Sequence, residues 1–313
     1  MNKEHQDYFL KKFPEISFKN EPLKNHSTFG IGGNAKIFIL PKNEKELADI
    51  LKYIRDKNLN VFFTGSGSNL LYSDEGYNGV IISLKNAFKN LSISDDGIIK
   101  SGAGVILVKM VTKAIKKNIQ GLESLAGVPG TLGGALFMNA GAYGSEISNF
   151  FVSAKFLDYN GNIKIIKSSD VSFSYRKSNF PTNYILIEAT FKCDVGKKES
   201  ILKNKNKFSQ SRKTSQPLQY RSAGSIFKNP PGDYAAGYLI DKAGLKGTKK
   251  GNAMISDKHA NFIVNIGNAS AKDIIYLIGK AKKEVLKKFN INLELEIKLV
   301  GFNKIIFEKM NNG

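Results

Sequence analysis

The sequence predicts an α+β protein with a larger N-terminal part and a smaller C-terminal part, and three observations support this. First, a strand over 36–40, a helix after Asn43 and strands over 61–64 and 79–84 form a β-α-β-loop-β unit. Second, a run of strands without intervening helices follows in the middle of the chain. Third, helices and short strands alternate again after Gln216. The remaining predicted elements are helices over 105–117, 196–213, 234–243 and 270–288, and strands over 151–158, 162–167, 184–193, 251–255, 261–266 and 293–300.

Local patterns support the predicted helices. Asn43 is a typical N-cap, and Glu46 occupies the reciprocal position of a capping box. Ser270 and Asp273 begin the long C-terminal helix in the same way. Apolar residues recur at helical spacing in two helices, at Leu47, Ile50, Leu51 and Ile54 and at Val108, Val111, Ala114 and Ile115.

The chain is strongly basic, with 47 Lys and Arg against 27 Asp and Glu and a formal net charge of +20. Such a surface favours anionic partners, which include nucleic acids, anionic membranes and phosphorylated small molecules. The lysines are scattered, and the chain lacks the stripe of basic and aromatic residues that is typical of nucleic-acid binding. We therefore expect small anionic ligands and no nucleic-acid partner.

A single cysteine, Cys193, excludes an internal disulfide and a CxxC metal site. It ends an alternating apolar run that starts at Ile185, so we interpret it as a buried strand residue. The polar N-terminus has no signal-peptide core, and no stretch is apolar enough to span a membrane. These features predict a cytoplasmic protein without a membrane span, and we expect a monomer.

Two glycine-rich loops are the strongest local signal. The first covers residues 65–69 and the second covers residues 127–144. Glycines let main-chain N–H groups approach a ligand closely, and successive N–H groups form nests that bind anions such as a diphosphate. Two tight turns that need glycine would explain the same residues. The pattern matches neither the P-loop nor the Rossmann motif, because Leu70 stands where the latter requires glycine. The candidate ligands for a dinucleotide are Gly65, Ser66, Gly67, Ser68, Asn69, Leu70, Ala126, Gly127, Pro129, Gly130, Gly133, Gly134, Asn139, Gly141 and Tyr143.

Three further segments contain residues with chemical potential. Arg176 follows Tyr175 and suits a carboxylate or phosphate, although a surface arginine explains it equally. Ser225 lies among small residues that would let its hydroxyl reach a ligand, although a polar turn has the same composition. Glu294 and Glu296 share one face of the predicted last strand, where they are acid/base candidates if that face lines a cleft.

In this order along 25–302, the motifs resemble the UDP-N-acetylenolpyruvoylglucosamine reductases of bacterial cell-wall synthesis. The resemblance rests on segments 65–69, 125–135, 139–144, 174–176, 223–230 and 293–297. It implies an FAD-binding domain of the vanillyl-alcohol-oxidase type over 1–200, in subdomains of about 1–85 and 86–200. It further implies an α+β substrate domain over 201–302, followed by a tail over 303–313.

The resemblance also implies an activity. NADPH would reduce bound FAD, and reduced FAD would reduce the enolpyruvyl group of the UDP-sugar to the lactyl ether of UDP-N-acetylmuramate. Ser225 would be the proton donor, with Arg176 and Glu296 as the other catalytic residues. We expect Lys228 to polarise Ser225. The expected substrate ligands are Tyr175, Arg212, Lys213, Lys228 and Asn229. The short chain between Cys193 and Lys213 resembles the shorter form of the family.

Two alternatives stay open at this point. A related flavin oxidase acting on an alcohol or sugar would use the same glycine-rich loops, but it has no need of a proton donor at Ser225. A basic nucleic-acid-binding protein would explain the charge of +20 and predicts an affinity that falls steeply with salt.

Overall fold

The computed structural model describes residues 1–303, so residues 304–313 of the predicted tail lie outside the described residues. Helices in this part are α1 (Lys3–Lys12), α2 (Glu44–Asp56), α3 (Leu107–Lys116), α4 (Leu132–Phe137), α5 (Lys198–Ser215), α6 (Ala236–Lys242) and α7 (Ala271–Phe289). Strands are β1 (Ser17–Pro22), β2 (Asn34–Ile39), β3 (Val61–Thr64), β4 (Leu70–Tyr72), β5 (Tyr77–Ser83), β6 (Leu91–Ile93), β7 (Ile98–Gly102), β8 (Gly141–Ala142), β9 (Ser145–Glu146), β10 (Phe151–Asp158), β11 (Ile163–Lys167), β12 (Phe173–Ser174), β13 (Lys177–Ser178), β14 (Tyr184–Lys192), β15 (Lys249–Lys250), β16 (Ala253–Ile255), β17 (Ile263–Asn265) and β18 (Lys298–Val300).

The chain forms two compact units, each assembled from separate segments. Unit 1 comprises Met1–Lys19, Ile37–Ser66 and Gly79–Arg212. Unit 2 comprises Asn20–Lys36, Gly67–Asn78 and the chain from Lys213 onward. The first glycine-rich loop therefore divides after Ser66. The domain boundaries expected from the resemblance stay a prediction.

Unit 1 contains a five-stranded antiparallel sheet in the order β11-β10-β14-β7-β6. A second sheet has four strands in the order β1-β2-β5-β3. Strand β3 pairs with β5 in parallel, as expected for strands joined by a crossover. Two clusters of buried apolar residues form its core. One lies between the five-stranded sheet and helix α3, and the other includes the apolar face of α2.

Strand β14 departs from the single apolar face expected from the alternation of Ile185 through Cys193. Ile185 and Ile187 belong to one buried cluster, whereas Ala189 and later alternate residues belong to the other. The reason is a break in the pairing with β10, in which Lys155 and Phe156 face Glu188 and Leu186 and the residue between is skipped. Such a bulge reverses the inward face, so both faces of β14 are buried.

The predicted helix caps are only partly correct. Asn43 accepts the Glu46 N–H at 2.9 Å, as expected. The Glu46 carboxylate, however, accepts the Lys42 N–H at 2.7 Å and thus completes a wider cap than a capping box. In α3, Leu107 and Met110 are buried, although the periodicity placed Val108 in the core. At α7 the predicted capping box of Ser270 and Asp273 is confirmed.

Unit 2 contains the antiparallel sheet β15-β16-β17, helices α6 and α7, and a parallel pair formed by β4 and β18. The predicted strand over 293–300 was wrong in its first half, because only Lys298–Val300 is a strand. The preceding residues meet one neighbour through a single bridge between Phe227 and Leu295. Pairing that lasts one residue does not make a ladder.

The sequence prediction missed helices α1 and α4 and strands β1, β4, β6, β7, β8, β9, β12, β13 and β15. Helix α1 buries only Phe9, so it has no apolar stripe that periodicity could detect. Strand β6 is three residues long, which is too short for an alternating pattern.

Candidate functional site

The start of the first glycine-rich loop lies against the second loop within unit 1. A Cβ at Gly65 would lie 2.2 Å from the Thr131 hydroxyl oxygen, so only glycine permits this contact. Ser83 strengthens the first loop by donating its hydroxyl to the Gly65 carbonyl at 3.1 Å. The structure thus brings together Gly65 and the loop that contains Gly130, Gly133 and Gly134.

Three buried hydroxyls near these loops belong to Thr64, Ser66 and Ser124. Among residues 1–303 none of them has a hydrogen-bond partner. An unpaired buried polar group costs about 1–3 kcal/mol, so such groups commonly mark a ligand that is needed to satisfy them. The hydroxyls and the glycines together fit a polar cofactor such as the diphosphate and ribityl parts of FAD. Sequence reasoning missed Thr64 and Ser124, although each is a hydroxyl residue next to a glycine-rich segment.

The second loop offers accessible backbone and is also anchored from within. Gly127, Pro129 and Gly134 are exposed, so a ligand can reach their main chain. In contrast, the Gly133 N–H donates to the Ala103 carbonyl at 2.9 Å. Because that N–H already donates to a protein carbonyl, it is not available to a ligand. Any contact of a ligand with Gly133 would be a close approach to its Cα. Internal bonds also involve the Ala126 N–H, which donates to the Glu123 carbonyl at 3.2 Å, and the Gly130 carbonyl, which accepts the Leu107 N–H at 3.0 Å.

Asn139 connects this loop to the hairpin that carries Arg176. Its side-chain nitrogen donates to the Glu146 carboxylate at 2.7 Å and to the Ser174 carbonyl at 3.1 Å. The Asn139 side-chain oxygen accepts the Ser148 N–H at 3.3 Å. This fully buried amide is therefore occupied by protein groups, and it acts on the site by holding the hairpin. Gly141 lies in the adjoining strand β8.

Arg176 lies at the tip of the hairpin between β12 and β13. Its φ of 56° is in the left-handed region, which is uncommon for a residue with a side chain. The guanidinium carbon lies 4.9 Å from the centre of the Tyr175 ring. Strained backbone of this kind often occurs at functional sites, where the surrounding structure keeps a side chain in a needed direction.

Arg212, near the end of α5, packs on Gly127 of the second glycine-rich loop. A Cβ at Gly127 would lie 2.8 Å from the Arg212 Cδ. Burial lowers the pKa of the Arg212 guanidinium, and within residues 1–303 no carboxylate lies within ion-pair distance of it. One helical turn earlier, Phe208 stacks on Tyr143 at 4.8 Å between ring centres, and its carbonyl accepts the Tyr143 hydroxyl at 3.3 Å. A partly buried cation without an anion is a candidate ligand for a phosphate or carboxylate.

In unit 2, the segment that follows Ser225 pairs with the segment of Glu296. The Glu296 N–H donates to the Ile226 carbonyl at 2.8 Å. Asn69, from the first glycine-rich loop, donates its side-chain amide to the Glu296 carbonyl at 3.1 Å. The structure thus places two predicted catalytic residues and one predicted cofactor ligand in neighbouring segments of one unit. Arg176 belongs to unit 1.

The predicted substrate residues of unit 2 have protein partners. The Lys228 ammonium lies 3.3 Å from the Glu294 carboxylate, so its charge is directed to that exposed residue. Asn229 accepts the Ala236 N–H at 3.1 Å at the start of α6. The Lys213 carbonyl accepts the Lys258 ammonium at 2.7 Å. Binding of substrate by Lys213, Lys228 and Asn229 stays a prediction.

The remaining residues of the first glycine-rich loop also lie in unit 2. The Gly67 carbonyl accepts the Thr28 N–H at 3.2 Å, and Leu70 begins β4. Ser68 is partly buried. Their contact with a cofactor stays a prediction.

Cys193, which we interpreted as a buried strand residue, and the ring of His259 are both largely enclosed by protein. Cys193 is 2% exposed, and burial raises the pKa of its thiol to about 12, which confirms a buried residue in place of a nucleophile. Burial lowers the pKa of His259, whose Nδ1 accepts the Asn261 N–H at 3.2 Å. Residues 1–303 contain no group of three or more His, Cys, Asp or Glu side chains arranged to hold a metal ion. No helix in this part of the chain has the length and apolarity to cross a membrane.

Comparison with known proteins identifies the family. Residues 216–300 match the model of the UDP-N-acetylenolpyruvoylglucosamine reductase C-terminal domain, and residues 35–167 match an FAD binding domain. The chain is 44% identical over 305 residues to UDP-N-acetylenolpyruvoylglucosamine reductase of Caldicellulosiruptor saccharolyticus (strain ATCC 43494 / DSM 8903 / Tp8T 6331), covering 96% of this chain and 97% of the relative. The chain belongs to the UDP-N-acetylenolpyruvoylglucosamine reductase family.

Further relatives of this family agree. The enzyme of the same name from Carboxydothermus hydrogenoformans (strain ATCC BAA-161 / DSM 6008 / Z-2901) is 40% identical over 297 residues, covering 95% of this chain and 98% of the relative. The crystal structure of the Thermus caldophilus reductase matches with a TM-score of 0.77 and 35% identity, covering 90% of this chain and 98% of that one. The predicted family and α+β fold with an FAD-binding domain of the vanillyl-alcohol-oxidase type are confirmed, and the chain is a flavin-dependent oxidoreductase of this family.

Proposed function

We propose that this chain catalyses the reduction of UDP-N-acetylenolpyruvoylglucosamine to UDP-N-acetylmuramate, with NADPH as electron donor, FAD as bound cofactor and Ser225, Arg176 and Glu296 as the catalytic residues. The reaction serves peptidoglycan precursor synthesis. It consumes one NADPH and one proton, and it converts the enol ether into a lactyl ether. Family membership supports the reaction and the cofactors.

Bound FAD would supply hydride chemistry, with NADPH as the source of the hydride and the terminal carbon of the enol ether as its acceptor. Negative charge then develops on the neighbouring carbon and on the attached carboxylate. Arg176 stabilises this charge, because a planar guanidinium pairs with a carboxylate through two parallel hydrogen bonds. The Tyr175 ring, 4.9 Å from the guanidinium carbon, is the neighbouring side chain that can support this group.

Ser225 delivers the proton that the neighbouring carbon needs. A serine hydroxyl is a weak acid in water, so it needs a polar environment and a fixed position. The single observation that best supports this role is the backbone pairing of Ile226 with Glu296 at 2.8 Å. Glu296 is partly buried and lies on the segment paired with the residue after the proton donor. In this proposal its side chain orients the hydroxyl or relays the proton.

The loops of unit 1 hold the flavin. Gly65, Gly127, Gly130 and Gly134 allow close approach of main chain to the diphosphate. The Ser66 hydroxyl, buried and without a protein partner in residues 1–303, is the side chain best suited to complete that site. The basic surface attracts all three anionic ligands, which are FAD, NADPH and the UDP-sugar.

The test of the function is a substrate-dependent assay on purified protein. We expect yellow protein that oxidises NADPH at a multiple-turnover rate only after the UDP-enolpyruvyl sugar is added. Protein that stays colourless after incubation with FAD, or that consumes oxygen with an alcohol and ignores the enolpyruvyl sugar, would contradict the proposal. The second result would favour the flavin-oxidase alternative.

We further propose that the protein acts as a cytoplasmic monomer without a nucleic-acid partner. A soluble UDP-sugar substrate supports a cytoplasmic location. Sedimentation at several protein concentrations tests the monomer. Retention of labelled DNA or RNA at physiological salt would contradict the absence of a nucleic-acid partner.

A further inference from the structure

Asn261 is a buried residue whose side chain binds the main chain just after Ser225. It is 3% exposed. Its side-chain oxygen accepts the Phe227 N–H at 2.9 Å, and its side-chain nitrogen donates to the Phe227 carbonyl at 2.8 Å. Its own carbonyl accepts the Ile226 N–H at 2.8 Å. Asn261 therefore satisfies three of the four backbone polar groups of Ile226 and Phe227, in the segment that carries the predicted proton donor.

The opposite side of the same dipeptide is paired with the Glu296 segment. The Ile226 carbonyl accepts the Glu296 N–H at 2.8 Å, and Phe227 forms a bridge with Leu295. The residues after Ser225 thus lie between Asn261 and Glu296, although they belong to no regular strand. The Asn261 amide takes the place that a neighbouring strand would have.

The residue before Ser225 gives little restraint. Gly224 has a φ of 79°, and a Cβ placed on it would meet no atom within 4 Å. The chain is therefore open and conformationally permissive on the N-terminal side of the serine. The position of the Ser225 hydroxyl depends on the C-terminal side, where Asn261 holds the main chain.

We infer that Asn261 is a positioning residue for proton transfer. It acts on Ser225 through the backbone of Phe227, and through Ile226 it aligns Ser225 with Glu296. The inference rests on the proposed function. Both an N–H donor and an oxygen acceptor are needed at Asn261, because Phe227 presents a carbonyl and an N–H. A misplacement of about 1 Å can lower a catalytic rate about 100-fold. Substrate binding by other residues is expected to be less sensitive.

A second buried asparagine provides a matched control. Asn265 is 6% exposed, and its side-chain nitrogen donates to the Phe29 carbonyl at 2.9 Å. Its side-chain oxygen accepts the N–H groups of Gly267 and Ala269 at 3.0 and 3.1 Å. Asn265→Asp and Asn261→Asp each remove one amide donor from a buried carbonyl. Only the second change acts on the segment of Ser225.

The experiment compares the two variants as purified flavoproteins. We expect similar decreases in melting temperature, and unchanged reduction of the flavin by NADPH in both. For turnover of the enolpyruvyl sugar, kcat should fall about 10- to 100-fold in Asn261→Asp and stay unchanged in Asn265→Asp, with KM unaffected. In Asn261→Asp, kcat should rise again as pH falls, because the protonated carboxyl regains a donor for the Phe227 carbonyl.

Two results would overturn the inference: equal kcat in both variants, or a kcat of Asn261→Asp that does not change with pH. If Asn261→Asp does not fold, Asn261→Gln replaces it, with Asn265→Gln as the control. The longer side chain keeps both the donor and the acceptor of the amide but displaces Phe227, so the same difference in kcat is expected. Equal kcat in these two variants would overturn the inference. Failure of the proposed function is distinguishable, since the wild-type protein would then leave the enolpyruvyl sugar unreduced.

Discussion

The glycine-rich loops of unit 1 and the Ser225 segment of unit 2 differ in how complete they are without a ligand. In the loops, the hydroxyls of Thr64, Ser66 and Ser124 are buried without partners among residues 1–303. In the Ser225 segment, the Asn261 amide and the Glu296 backbone satisfy the neighbouring main chain. In the proposed function a cofactor completes the first region, whereas protein groups alone satisfy the main chain of the second.

This difference separates two kinds of mutational effect. Changes in the loops should act on FAD affinity, because the cofactor contributes part of the structure there. Changes around Ser225 should act on the rate of proton transfer and leave flavin content unchanged, because that geometry exists before binding. The predictions below test this separation.

The largest effect is expected at Ser225 itself. Ser225→Ala removes the only proposed proton donor, so turnover should fall about 10²- to 10⁴-fold. FAD content and reduction of the flavin by NADPH should be retained, and both are measured by the flavin absorption spectrum. Turnover close to wild type would refute the assignment of the donor.

Arg176→Lys should lower kcat about 10²- to 10³-fold, because a point charge cannot reproduce the planar fork of the guanidinium. Steady-state assays with the enolpyruvyl sugar measure this. The substitution keeps the positive charge, so it separates geometry from charge. A near-normal rate would mean that Arg176 has only a structural role.

Gly65→Ala tests the contact between the loops. Its Cβ would lie 2.2 Å from the Thr131 hydroxyl oxygen, and the displacement should weaken FAD binding about 10- to 100-fold. Reconstitution of the flavin-free protein with FAD gives the affinity. In the double variant with Thr131→Ala, the hydroxyl is gone and part of the affinity should return. No loss in the single variant, or no recovery in the double one, would speak against a cofactor site formed by both loops.

Arg212→Gln should raise KM for the UDP-sugar about tenfold, because it removes a charge-assisted hydrogen bond to the substrate. Lys207→Gln is the matched control, since it makes the same change of charge at an exposed position of α5. Loss of FAD at unchanged KM would instead make Arg212 a ligand of the flavin.

The smallest effect is expected at Cys193. Because burial raises the pKa of this thiol from its ordinary value of 9.0 to about 12, it stays protonated and inaccessible at pH 8. Iodoacetamide should then leave the native protein unlabelled and fully active, and should label it after denaturation, as followed by mass spectrometry. The contribution of this thiol to the stability of the folded state is fully present below pH 9. It is lost as pH rises toward 12, because the unfolded chain then releases the thiol proton more readily than the folded protein does. Rapid labelling of the native protein would show that the thiol is exposed.

The sequence predicted those parts of the fold that have periodic signals. Helix α2 was found from its apolar stripe and its Asn43 cap. Helix α1 was missed because Phe9 is its only buried residue. The bulge that divides the faces of β14 depends on its pairing with β10, and such register is a tertiary property that the alternation within one strand does not contain.

For the site, motifs identified the residues but did not reveal their partners. The catalytic roles of Ser225 and Glu296 were expected from the family resemblance. That their two segments lie next to each other became evident only from the fold. Asn261 was not among the predicted site residues, because a buried asparagine has no distinctive sequence pattern. Lys228 was predicted to polarise Ser225, whereas its ammonium forms an ion pair with Glu294. The sequence did not reveal this ion pair, because it depends on the pairing of two segments that are far apart in the sequence.

The most direct test of the central claim is reoxidation of the reduced flavin under anaerobic conditions. The enzyme is first reduced with one equivalent of NADPH, and the UDP-enolpyruvyl sugar is then mixed in. Wild-type protein should regain the oxidised flavin spectrum within the time of a turnover and form UDP-N-acetylmuramate in equal amount. A flavin that stays reduced in the presence of this substrate would contradict the account.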